Sequence, residues 1–175
     1  MTTCARYGRR ILIKLTSDGI DQLDARLIAT LRGNFRIGLL EAARRLHVAR
    51  NTVVARLAKL ERRGVITGYG PEIDPRALGY SISAFVLIEL AQGQLAEAVA
   101  VMAETPEVLE VDAISGPQDL ICRVVARDTE HLQAIVNELL RTPAIRRCTS
   151  YIVLSRQVPP RTGPLVDAAA GVGRR

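Results

Sequence analysis

From Asp21 to Gly64 the apolar residues recur at the three- and four-residue spacings of a helix, and two interruptions are too short to hold anything but turns. Asp21–Arg32 places Leu23, Leu27, Ile28 and Leu31 on one side, with Asp21 and Asp24 in the first turn, where they complement the helix dipole. Gly33-Asn34 is a stop signal. Leu39–Leu46 turns Leu39, Ala43 and Leu46 inward and Arg44 and Arg45 outward. His47-Val48-Ala49 leaves room for a tight turn, after which a third helix runs from Arg50 to Arg63 and stops at Gly64. Three short helices with a tight turn before the last predict a helix-turn-helix.

The third helix is expected to bury Val53, Val54, Leu57 and Leu60. At 3.6 residues per turn the opposite arc holds Asn51, Thr52, Ala55, Arg56, Lys59, Arg62 and Arg63. That arc suits a DNA groove: Ala55 permits close approach, and Asn51 and Thr52 can hydrogen-bond base edges or phosphates. Arg50 and Arg56 can grip guanine or phosphate, and Lys59 can reach phosphate. With Arg44 and Arg45 of the preceding helix, these residues predict contact with the major groove of double-stranded DNA. The competing reading is a solvated face with Arg56 in an intramolecular ion pair. Charge favours DNA, since residues 1–70 carry 14 Lys and Arg against 5 Asp and Glu, whereas residues 71–155 carry 6 against 12. A basic front joined to an acidic back points to two modules with different partners, the front one a polyanion. Aromatic residues make up only 3% of the chain, which leaves few for base stacking.

Beyond residue 80 the period changes. Ser81–Leu90, Val108–Ser115, Leu120–Ala126 and Ile145–Ser155 read as strands, Leu95–Glu104 and Thr129–Leu140 as helices, and Gly116-Pro117-Gln118 as a turn. The order β-α-β-β-α-β is the ferredoxin-like arrangement, giving an α+β chain overall. Two helices cover one sheet face and leave the other to pair with a second copy, which favours a dimer. Cys4, Cys122 and Cys148 are too far apart for a disulfide framework or a zinc signature and are expected to be reduced thiols of a cytoplasmic protein. No apolar run reaches membrane-spanning length, and no catalytic set, metal cluster or cofactor loop stands out.

The stretch from Gly19 to Tyr80 resembles the N-terminal half of the Lrp/AsnC, or feast/famine, regulators. The matching elements are Asp21-x-x-Asp24, Arg36-Ile37, Glu41-Ala42, Arg56-x-x-x-Leu60-Glu61, Gly64-x-Ile66-x-Gly68-Tyr69, and Asp74-Pro75 followed by Gly79. The likeness covers residues 20–156. It implies a transcription regulator of prokaryotic type, a homodimer assembling to a tetramer or octamer, and a small effector, an amino acid or related metabolite, bound between subunits. The family's effector loop has the form Gly-x-x-Asp, here Gly116-Pro117-Gln118-Asp119, so the resemblance makes Gly116, Gln118 and Asp119 the effector-binding candidates. Asp119 would take the ammonium and backbone N–H groups the carboxylate, although Pro117 donates nothing; the competing role for Asp119 is to stabilise a tight turn. Two departures stand out: Ala49 occupies the position of a small hydroxyl cap, and His47 occupies a turn position where glycine is common.

The expected plan is a basic flexible arm over residues 1–17, the helix-turn-helix over 18–64, a strand and hinge over 65–79, the ferredoxin-like effector and oligomerisation domain over 80–156, and a disordered tail over 157–175. The strand, Val65–Tyr69, would make the front module winged, and the hinge falls at Gly70-Pro71. Two other functions share this plan: a siroheme-decarboxylase-like enzyme, which the two histidines disfavour, and an architectural protein that wraps DNA.

Overall fold

The computed structural model describes residues 19–34 and 36–171; the expected basic arm lies outside them. Two compact units emerge. One is Glu72–Gln157, and the other joins the segment ending at Pro71 to the segment starting at Val158.

The helical unit begins with α1 (Gln22–Gly33), set by a capping box. The Asp24 N–H donates to Asp21 Oδ1 at 2.8 Å, and the Asp21 N–H returns to Asp24 Oδ2 at 3.4 Å. Next come α2 (Leu39–Leu46) and α3 (Arg50–Arg62). Helix α2 ends on His47, whose backbone sits in the left-handed region at φ 55°. Helix α3 starts at Ala49, from which no side chain caps the first turn, so the missing hydroxyl neither delays the helix nor finds a substitute. It ends in a Schellman arrangement: the Val65 N–H donates to the Leu60 carbonyl and the Gly64 N–H to that of Glu61, with Gly64 at φ 69°. Leu27, Ala42, Ala43, Leu46, Val53 and Leu60 form the buried core, flanked by Leu23, Ile28, Leu31 and Ile66. Val54 does not join it; it stays 40% exposed, because α3 turns only a narrow stripe inward.

Two expectations fail in this unit. Val65–Tyr69 is not a strand, since no described segment pairs with it; Ile66 packs on the helical core instead, and the Tyr69 hydroxyl donates to Glu61 at 2.8 Å. The tail is not structureless either. Thr162 precedes α6 (Gly163–Ala169), which packs on α1. Arg32 grips the Asp167 carboxylate at 3.0 and 3.2 Å, Gln22 donates to the Ala170 carbonyl at 3.2 Å, and Ala170 is buried. Pro, Gly and Ala composition hid this helix, because its stability comes from docking rather than from its own seven residues.

The second unit holds β1 (Ile82–Leu90), α4 (Leu95–Glu104), β2 (Val108–Ala113), β3 (Leu120–Ala126), α5 (Thr129–Leu139) and β4 (Ile145–Ile152). The strand order is β2-β3-β1-β4, with every neighbouring pair antiparallel. Ala84, Val86, Ile88, Leu120, Cys122 and Val124 meet Met102, Leu132, Ile135 and Leu139 of α4 and α5 in one core. Burial pushes the Cys122 thiol up to about 12 and that of Cys148 to about 11, so both stay protonated at neutral pH. The opposite face of the sheet carries Phe85 and Tyr151, 42% and 56% exposed. Among the described residues, no helix is long and apolar enough to cross a membrane.

Candidate nucleic-acid interface and ligand loop

Burying Val53 and Leu60 fixes the roll of α3 and turns Asn51, Ala55 and Lys59 to solvent. With Thr52 and Arg56 these residues line one shallow, open concavity along the helix. Arg50 is exposed, and among the described residues neither it nor Lys59 forms an ion pair. Arg44 and Arg45 are exposed on α2 and share Glu41, at 3.9 and 3.1 Å. Exposed pairs one helical turn apart contribute about 0.3–0.5 kcal/mol, so a phosphate can displace Glu41 at little cost.

Arg56 lines this concavity and is at the same time engaged from within the chain. Its guanidinium lies in contact with the Asp21 carboxylate and 2.7 Å from Asp24 Oδ1. Asp24 is 1% exposed and is the one buried charged residue described, so its carboxylate needs a cation in place. Arg56 therefore ties α3 to the start of α1. The Arg56 guanidinium holds the Asp21 carboxyl below the usual carboxylate value, with the Asp24 N–H helping, and the two carboxylates raise the guanidinium in turn. The acidic pair that stabilises the first turn of α1 is the sequence signal for this bridge, but 32 residues separate Asp24 from Arg56.

The turn from Gly116 to Asp119 divides the three effector candidates. Gly116 sits at φ 142°, which few side chains tolerate. Asp119 Oδ2 accepts the Leu90 N–H at 2.7 Å, and the Asp119 backbone bonds Ile88 and Ile114, so this residue braces the turn against β1. Gln118 instead lines a concavity with Glu89, Arg147, Thr149 and Tyr151 on the open sheet face. Glu89 and Arg147 are directly opposed across β1 and β4. Strand alternation placed these two on one face, but only the register brings them to Gln118.

Comparison with known proteins covers both units. Residues 20–61 match the AsnC-type helix-turn-helix domain, and residues 83–162 match the Lrp/AsnC ligand binding domain. The chain is 30% identical over 135 residues to the HTH-type transcriptional regulator FL11 of Pyrococcus horikoshii, covering 77% of this chain and 89% of the relative. It is 33% identical over 124 residues to the HTH-type transcriptional regulator AldR of Mycolicibacterium smegmatis, covering 69% and 72%. Its fold superposes on that of Escherichia coli AsnC with a TM-score of 0.77 at 28% identity, covering 84% of this chain and 100% of that one.

Proposed function

Since this chain belongs to the Lrp/AsnC family of helix-turn-helix transcriptional regulators, we propose that it reads duplex DNA with the outer face of α3 and that a small zwitterion bound in the sheet unit modulates the reading. Asn51 and Thr52 meet base edges in the major groove, Arg50 and Lys59 take phosphates, and Arg44 and Arg45 exchange Glu41 for the backbone. Arg56 acts by holding α3 in position. The observation that carries this reading is the outward arc Asn51, Ala55 and Lys59, small at its centre and cationic at its end.

A homodimer through the open sheet face, around Phe85 and Tyr151, presents two such helices to paired half-sites. Assembly of dimers into tetramers or octamers extends the same arrangement. The effector is an amino acid or a close relative: Arg147 suits its carboxylate, Glu89 its ammonium, and Gln118 and Thr149 its polar remainder. Gly116 and Asp119 shape the loop that presents Gln118.

The test is a thermal-shift screen against the twenty amino acids, followed by DNA affinity with and without the ligand that raises the melting temperature. The expected result is one ligand class that stabilises the protein and shifts DNA affinity about 5–150-fold, the range of ordinary allosteric coupling. Stabilisation without any change in DNA affinity contradicts the coupling.

A further inference from the structure

The chain passes between its two units twice, once after Pro71 and again after Gln157. The first passage is built to bend. Ile66 is packed on the helical core, and the turn Pro75–Leu78 is closed by Gly79 at φ 90°. The slack between them falls on residues 67–73, which include Gly68 and Gly70. The second passage is stiffer: between β4 and α6 it carries Pro159-Pro160, and a Pro-rich segment is a semi-rigid spacer rather than a coil.

The second passage ends on a helix that holds its place by docking. Helix α6 has seven residues and no side-chain cap at Thr162, and so short a helix does not persist alone. Its anchors lie on α1: Asp167 takes the Arg32 guanidinium, the Ala170 carbonyl accepts from Gln22, and Ala170 is buried. The ion pair is 44% and 43% exposed, in the range where such pairs contribute little. Helix α1 keeps its own capping box and its core against α2 and α3 without this contact. A segment held by so few buried groups opens at low free energy while the rest stays folded. Helix α6 also lies beyond residue 162, outside both family matches.

We infer that α6 is a releasable strap. Docked on α1, it makes a second connection between the two units and restricts the swing that residues 67–73 allow. Released, it leaves the helical unit on one flexible tether. Two connections leave fewer relative orientations than one, because closing a loop removes chain entropy. The consequence for DNA rests on the reading role proposed for α3: a strapped dimer accepts a narrow range of half-site spacings, and a released one a wide range.

Two measurements on the full chain test the strap, the first without DNA. Nitroxides at Leu40→Cys on α2 and Gln133→Cys on α5, both exposed positions, report the spread of distances between the units by pulsed electron resonance. The background carries Cys4→Ser and Cys148→Ala, and labelled chain is diluted with unlabelled. The spread should widen in Asp167→Arg and narrow again in the swap Arg32→Asp with Asp167→Arg, which restores the pair with its charges exchanged. Truncation after Gln157 decides if the swap fails to re-form the pair. The second measurement uses duplexes selected from a random pool, with the half-site spacing then changed by about five base pairs, half a helical turn. The parent should lose affinity about tenfold or more, and Asp167→Arg less than about threefold. An unchanged spread in both Asp167→Arg and the truncated chain overturns the inference. So does a spacing penalty in Asp167→Arg equal to the parent's, which makes α6 a plain stabiliser of the helical unit. If the parent binds no duplex, the reading of α3 fails, and the distance spread alone decides the strap.

Discussion

His47 and Ala49 bracket the tight turn of the helix-turn-helix, and both are chemically costly choices. His47 holds φ 55°, a conformation that costs a non-glycine residue roughly 1–2 kcal/mol. Ala49 leaves the first turn of α3 without a side-chain acceptor. His47→Gly should therefore raise the urea midpoint of the helical unit, though the entropy of the freed unfolded chain offsets part of the gain. Ala49→Ser should raise it as well, by adding about 0.5–2 kcal/mol of stability, the usual worth of a cap. Arg56 works in the other direction. Arg56→Met strands the buried Asp24 carboxylate and should cost about 3 kcal/mol, at the low end for breaking a buried pair because the guanidinium is 28% exposed. The pH dependence follows from Asp21, whose folded value is lowered. Its contribution is fully present above the ordinary carboxylate value of 3.8 and is lost as pH falls through the lowered value, so the helical unit should weaken selectively below about pH 4. In Arg56→Met that part of the acid sensitivity should shrink, which circular dichroism across pH can follow.

Among the elements, those with a strong local period were legible. Helix α4 and strand β3 fall on their expected residues, and Asp128 caps α5 through the His131 N–H at 2.7 Å. What local pattern could not supply was partnership. Val65–Tyr69 has the composition of a strand but pairs with no described segment, and the tail has the composition of a linker but a surface of α1 to dock on. Arg56 and Asp119 belong to the same class: each was legible as a polar group at a functional position, and each is engaged by a partner distant in sequence. Truncation after Gln157 should lower the stability of the helical unit and speed amide exchange in α1. Asp167→Arg, which sets two cations together, should do the same, and unchanged exchange in both variants would show the helix to be idle.

At the scale of the whole molecule, the function proposed above assigns DNA reading to the cationic face of α3 and small-molecule sensing to the sheet unit. The central claim is that the face of α3 neutralises phosphates, and the slope of log affinity against log salt measures it most directly. For an operator-containing duplex the slope should be steep, near −0.9 for each phosphate contacted. Lys59→Ala should reduce its magnitude by about one unit, and Asn51→Ala should weaken specific binding while leaving the slope unchanged. A shallow slope in the parent protein, or a slope that Lys59→Ala and Arg50→Ala both leave intact, would contradict the assignment of this face to DNA.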